Sequence, residues 1–377
     1  MYIRQKQLDN LKKWIKPGKV FVIYGPRRCG KTTLIQEFLK EYKNNHLFVT
    51  GEDITIRESL SSQSIEQLKA FVGAHRLLVI DEAQKIPQIG LNLKLIVDHI
   101  PHITVIATGS ASFDLANQVG EPLTGRKYTL RLFPLAQLEI QSTEHTSQTQ
   151  ARLEQRLLYG SYPEVVTMES NEEREYYLRE LVNSNLYKDI LELDGLRHSD
   201  KLLRLLQLLA FQIGHEVSMP ELGRQLDLSK HTVERYLDLL EKAFVIFRVG
   251  GFSRNLRKEV SKSSRYYFYD IGVRNAVIDN YNALQLRNDI GMIWENYVVV
   301  ERIKRQEYIG PHAHNYFWRT YDQQEIDWVE EQGGQLHGYE IKWNTHKTPK
   351  IPPAWRVNYP EAKYDVIRKN NYLDFIM

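Results

Sequence analysis

Only one cysteine, Cys29, occurs in the 377 residues. No internal disulfide can form, and cysteine this scarce fits a reducing compartment. Long apolar runs are missing as well: no stretch approaches the ~20 residues that span a bilayer. The amino-terminal segment carries Arg4, Lys6, Lys12 and Lys13 on a helical pattern, without the apolar centre of a secretion signal. The expectation is a cytoplasmic protein with no membrane partner. An excess of one charge sign is also lacking. Lys plus Arg total 50 against 47 Asp plus Glu, a net charge of +3, which by itself does not mark a nucleic-acid binder and leaves a local basic patch open. The 12 histidines show no metal-ligand spacing, and His312 and His314 read as a solvated pair in a loop. What is present is an ordinary globular composition, 42% hydrophobic and 26% charged, with enough length for two to four domains.

The rest of the chain is arranged around residues 20–33. An apolar, β-branched run, Val20 to Tyr24, stops at Gly25, and a helical pattern with Leu34, Ile35, Phe38 and Leu39 inward begins near Lys31. Between them stands Gly25-Pro26-Arg27-Arg28-Cys29-Gly30-Lys31-Thr32-Thr33, a phosphate-binding loop in the required context of strand, loop and helix. Glycines let backbone N–H groups curl around phosphate oxygens, and the helix presents its positive end to them. Lys31 reaches the β- and γ-phosphates and Thr32 ligates Mg²⁺. The chain is expected to bind a nucleoside triphosphate. Cys29 is a spacer in this loop or a nucleotide-sensitive thiol.

Leu77-Leu78-Val79-Ile80 ends in Asp81-Glu82. A buried strand of a parallel sheet is apolar on both faces, and ligands sit at its carboxyl end. Asp81 is expected to hold Mg²⁺, and Glu82 to polarise the attacking water. Ile103 to Ser110 is a further buried strand; Thr108 and Ser110 at its end are either sensors of the γ-phosphate or strand-end caps. Arg126, after Gly125, is either an arginine finger, acting in its own chain or across subunits, or a solvent-facing side chain.

Residues 140–150 are polar and aperiodic, a loop or linker. From 151 to 213 the pattern is helical, broken at Gly160-Ser161-Tyr162-Pro163. Met219–Leu226, a turn at Asp227-Leu228-Ser229, a second helix with Val233, Leu237 and Leu240 inward, and a strand from Phe244 read as a winged helix-turn-helix. Its second helix would offer Lys230, His231, Glu234 and Arg235 outward. Arg254, Arg257, Lys258, Lys262 and Arg265 would form a phosphate-contacting wing. DNA is the expected partner; packing against another domain or a second subunit is the alternative.

A second constellation closes the chain. Glu295 lies on a helix from Asp289 to Gln306, Asp327 in a strand-like run, and Glu340-Ile341-Lys342 on the next. Alternation puts Glu340 and Lys342 on one face. Asp327 and Glu340, with Glu295 as a further carboxylate, would ligate a second divalent cation, Mg²⁺ or Mn²⁺, and Lys342 would position the nucleophilic water of a phosphodiesterase. A fold that no longer cuts, or a charged surface hairpin, reads the same residues without catalysis.

Taken together, the phosphate loop, Asp81-Glu82-Ala83-Gln84, Thr108-Gly109-Ser110-Ala111-Ser112 and Gly125-Arg126 resemble a prokaryotic AAA-type ATPase family whose members carry a winged helix and a carboxyl-terminal domain of unassigned function. That last domain is similar to the PD-(D/E)xK restriction-nuclease fold, through Trp294-Glu295-Asn296, Glu325-Ile326-Asp327 and Glu340-Ile341-Lys342, with Ile326 in the proline position. The resemblance implies ATP, Mg²⁺ and a homo-oligomer. The expected architecture is α/β: a P-loop parallel-sheet ATPase core (1–140), a linker and helical lid (141–200), a winged helix-turn-helix (201–268) and a nuclease-like α/β domain (269–377). The function expected is ATP hydrolysis coupled to a DNA-directed module. The alternative is a nucleotide-dependent switch whose last domain only binds a partner.

Overall fold

The computed structural model describes residues 2–42, 45–109, 123–186, 199–254, 263–343 and 349–377. Ser110, Arg257, Lys258 and Lys262 lie outside the described residues. Two compact units emerge: one is Met1–Leu135 with Lys242–Phe244, and the other holds nearly all of the chain from Ala136 onward.

In the first unit, alternation along each strand decides the architecture. Phe21, Ile23, Leu77, Val79 and Ile106 pack with Leu8, Leu11, Leu34 and Phe38, while Val20, Val22, Leu78, Ile80 and Val105 pack with Leu68, Leu93 and Ile96. Both faces of the sheet are therefore covered by helices, which is why the strands read as unbroken apolar runs. The strands are β1 (Lys19–Tyr24), β2 (His46–Thr50), β3 (Leu77–Asp81), β4 (Thr104–Gly109) and β5 (Lys127–Arg131), in the order β2-β3-β4-β1-β5. Every pairing is parallel. All carboxyl ends thus share one edge, and β4 lies between the strand that leads into the phosphate loop and the strand that ends in Asp81.

The second unit contains a six-stranded mixed sheet. Its strands are β6 (Ile246–Gly251), β7 (Ser264–Phe268), β8 (His314–Arg319), β9 (Glu325–Gln332), β10 (Gln335–Ile341) and β11 (Lys363–Ile367), in the order β11-β10-β9-β8-β6-β7. The expected break at residue 268 is not there: the β6–β7 hairpin joins the later strands through β6 and β8, with Gly250 opposite Tyr316. Helices Met219–Leu226 and Lys230–Lys242 precede this hairpin. Their turn is tight, since a Cβ on Gly223 would lie 2.7 Å from the Leu228 carbonyl oxygen. Val233, Tyr236, Leu237, Leu239 and Leu240 face inward.

Residues 140–150 are not a loop. Thr146–Ala151 is helical, and Glu144 is buried between Arg152, at 2.7 Å, and Arg156. No described helix is long and apolar enough to cross a membrane.

Candidate functional site

The phosphate loop leaves β1 after Tyr24 and enters the helix Lys31–Glu41. Gly25 is obligatory on packing grounds: an added Cβ would stand 1.9 Å from the Leu132 carbonyl oxygen. The backbone turns through positive φ at Arg28 (59°) and Gly30 (99°), and only glycine takes the second without cost. Lys31 is 6% exposed. Its ammonium donates to the carbonyls of Gly25 at 3.0 Å and Pro26 at 2.8 Å, so the cation is held in the concavity of its own loop. Arg28 and Thr33 are exposed and Arg27 half-buried. Cys29 is fully buried among Leu34 and Leu132; it acts as a packing spacer, and its burial removes the expectation of a nucleotide-sensitive thiol.

Asp81 gathers the loop and two strands. Thr32 Oγ1 donates to Asp81 Oδ2 at 2.9 Å, and Thr108 Oγ1 donates to Asp81 Oδ1. The Thr108 hydroxyl in turn accepts from the Glu82 backbone N–H at 3.2 Å. Glu82 sits in the left-handed region, φ 51°, where its carboxylate accepts from Gln84 Nε2 at 2.5 Å. A Cβ on Gly51, just past β2, would lie 2.4 Å from the Glu82 carbonyl oxygen, so a bare backbone at that position lets the strained residue fit. A hydroxyl and a carboxylate in contact are the hard oxygen donors a divalent cation takes, and a loop already curled around an ammonium suits a polyphosphate. The residues present fit Mg²⁺ and a nucleoside triphosphate.

Arg126 does not join them. Its carbonyl accepts from the Val20 N–H at 2.9 Å, which places it beside the amino end of β1, at the opposite edge of the parallel sheet from the loop. At about 3.3 Å per residue the intervening strand spans roughly 15 Å. The guanidinium is instead bound to Asp98 at 2.6 Å. In its own chain Arg126 is no arginine finger.

Residues that sequence reasoning missed brace the protein frame around this site. Gln5, 2% exposed, donates from Nε2 to the Cys29 carbonyl at 2.8 Å. Gln7, 1% exposed, donates to the Arg131 carbonyl at 2.8 Å. Arg131 Nε donates to the Tyr24 hydroxyl at 2.9 Å. Two glutamines at the start of an amphipathic helix carry no motif that could have announced them.

In the second unit Asp327, Glu340 and Lys342 come together. The Lys342 ammonium lies 2.7 Å from Glu340 Oε1 and 3.2 Å from Asp327 Oδ2, which also accepts from the Ile341 N–H at 2.8 Å. Burial opposes the ammonium, yet Asp327 and Glu340 hold its pKa above the usual lysine range. Burial first, and Asp327 second, push the Glu340 carboxyl up to about 7; its Oε2 is buried with no hydrogen-bond partner. Glu295 accepts from the Tyr267 hydroxyl at 2.8 Å, with Arg265 at 4.0 Å. Burial and then Asp327 push it up to about 8. Among the described residues no three carboxylate, imidazole or thiol groups form a cluster able to hold a metal. The expected trio of Glu295, Asp327 and Glu340 is corrected accordingly: Lys342 bridges two of them, and the third is hydrogen-bonded to Tyr267.

The wing expectation changes too. Arg265 is buried and paired with Glu325 at 2.9 Å, so it faces the protein rather than a phosphate. Arg254 is exposed and paired with Glu331 at 3.0 Å. Lys230, His231, Glu234 and Arg235 do face outward.

Comparison with known proteins divides the chain in three. Residues 150–284 match a domain of unknown function (DUF8612) and residues 290–373 another (DUF4143). An uncharacterized protein of Mycobacterium tuberculosis is 27% identical over 356 residues, covering 94% of this chain and 76% of that protein. An uncharacterized protein of Haemophilus influenzae is 24% identical over 382 residues, covering 93% and 90%. The Aeropyrum pernix ORC1 protein, solved in complex with DNA, superposes with a TM-score of 0.34 at 13% identity, over 73% of this chain and 91% of that one, too loosely to bear on function. Residues 17–141 match the AAA domain family, and with the loop, Asp81 and the inserted strand β4 in place, this part of the chain is a P-loop domain of AAA type.

Proposed function

We propose that this chain hydrolyses ATP at the phosphate loop and that its second unit is the DNA-directed module which the nucleotide governs. The carrying observation is the convergence of Thr32 and Thr108 on Asp81. The loop amides and Lys31 would neutralise the polyphosphate. Thr32 and Asp81 would hold Mg²⁺, which supplies charge stabilisation at the transferring phosphoryl group. Glu82 is the residue suited to accept the water's proton: its backbone is pinned to Thr108 and its carboxylate is oriented by Gln84. Lys31→Ala should abolish binding of Mg-ATP in calorimetry. Glu82→Gln should retain binding and lose most turnover. Binding by Lys31→Ala, or parent-like turnover by Glu82→Gln, would remove the reading.

A second reading concerns Asp327, Glu340 and Lys342. The partnerless Glu340 Oε2 beside an ammonium-bound Asp327 supports phosphodiester hydrolysis with a single divalent cation held by the two carboxylates. Plasmid and single-stranded DNA incubated with Mg²⁺ or Mn²⁺ test it. Cutting that Lys342→Ala abolishes supports a nuclease; no cutting in any condition favours a partner-binding module.

A further inference from the structure

We infer that Gln5 is a positioning residue for the phosphate loop: it fixes the Cys29–Gly30 peptide so that the Gly30 N–H faces the bound phosphates. The inference rests on the ATP reading above and adds to it a residue outside the loop. A trans peptide is planar, with its C=O and N–H pointing in opposite directions. The Cys29 carbonyl is turned toward Gln5, whose Nε2 donates to it at 2.8 Å. The N–H of the same peptide, which belongs to Gly30, therefore points away from Gln5, toward the open side of the loop.

Something has to hold that orientation. Gly30 is at φ 99°, and glycine occupies either sign of φ with little preference, so rotation of the Cys29–Gly30 peptide is opposed only weakly by the backbone. Gln5 meets the need in two ways. Its amide is buried, which makes leaving the Cys29 carbonyl without a donor expensive. The end of the same amide also abuts Gly30, where an added Cβ would be 3.1 Å from both Gln5 Nε2 and Oε1. Two residues on, Gln7 ties the same segment to the Arg131 carbonyl of β5, so the strap that carries Gln5 is anchored independently of the loop. Gln7 fastens the strap, and Gln5 sets the amide.

The experiment compares parent, Gln5→Leu, Gln5→Glu and Gln7→Leu by calorimetry with Mg-ATP and by steady-state hydrolysis. Gln5→Leu should raise Kd and KM about tenfold with kcat within about twofold, the signature of lost ground-state and transition-state binding alike. Gln5→Glu should weaken binding further at neutral pH, where a carboxylate faces a carbonyl, and recover relative to Gln5→Leu as pH falls and the carboxyl regains a proton to donate. Gln7→Leu should lower Tm and leave Kd near the parent value. In the parent, ¹⁵N-glycine spectra should show the Gly30 amide shifting on addition of Mg-ATP, a measurement that holds even where Gln5→Leu does not fold. A folded Gln5→Leu with parent affinity, or a Gly30 amide unmoved by Mg-ATP, would overturn the inference while the ATP reading stands. Absence of heat from the parent would overturn the ATP reading itself.

Discussion

Thr108 and Asp81 are on neighbouring strands, and the threonine hydroxyl donates to the aspartate carboxylate. The contact exists because β4 is inserted between β1 and β3; without it, Asp81 would be reached only from the loop side, through Thr32. The same hydroxyl accepts from the Glu82 N–H at 3.2 Å. One side chain therefore orients the residue suited to hold the metal and the backbone of the residue suited to activate water.

Thr108→Val preserves the shape of the side chain and deletes that oxygen. Thr108 is fully buried, so the Glu82 N–H loses a buried acceptor, a cost of about 1–3 kcal/mol. The variant should bind Mg-ATP within about threefold of the parent and turn it over at least tenfold more slowly. Thr108→Ser should keep most of the rate. Equal kcat for parent and valine variant would show that the hydroxyl serves packing alone.

Arg126→Ala separates two placements of the same guanidinium. Bound to Asp98 at the far edge of the sheet, it should be dispensable within one chain, with kcat unchanged within about twofold. Loss of a surface pair of this kind costs about 0.2–1 kcal/mol. Turnover abolished in Arg126→Ala, and restored on mixing with Glu82→Gln, would place the side chain in the site of a neighbouring copy.

The nucleotide site was legible because its determinants are local. Val20 to Thr33 carries strand, loop and helix in one uninterrupted stretch, and Leu77 to Glu82 ends a fully buried strand on its own carboxylates. Arg126 misled for a related reason: a glycine-arginine pair near the domain's end says nothing about which edge of the sheet it meets, and only the pairing of β5 with β1 decides that. The strand from Phe244 was readable, but its pairing with β7 and its attachment to β8, some 65 residues later, depend on backbone pairing that no side-chain pattern records. Glu144 gave the opposite error. In a polar stretch it looked like linker, although Arg152 and Arg156, 8 and 12 positions on, close around it.

The raised pKa of Glu295 makes stability depend on pH with a definite sign. The carboxyl titrates near 4.5 in an unfolded chain and is pushed up to about 8 in the fold, by burial first and by Asp327 next. Between those values the folded state keeps a proton that the unfolded state has lost, so stability falls as pH rises through the window. Glu295→Gln keeps an oxygen for the Tyr267 hydroxyl and removes the titration. Its Tm should fall less than the parent's between pH 5.5 and 8. Parallel Tm profiles for the two proteins would mean that Glu295 is already ionised in the fold.

Arg302 and Glu330 test how a buried charge pair contributes to the second unit. Arg302 Nε and Nη2 each lie 2.7 Å from a different oxygen of Glu330. Gln306 and Trp328 add donors at 2.9 and 3.0 Å, and Arg302 Nη1 donates to the Phe375 carbonyl at 2.8 Å. Every charged atom is satisfied, so the arrangement is costly to break from one side only. Arg302→Met or Glu330→Met alone should destabilise by about 3–5 kcal/mol in urea unfolding, because each leaves a buried partner charge uncompensated. The double variant Arg302→Met, Glu330→Met should cost less than the two single changes summed, since replacing both charges by apolar groups removes the desolvation penalty along with the attraction. Strict additivity would mean that the two side chains contribute independently, through the Phe375 carbonyl and the Trp328 indole rather than through each other.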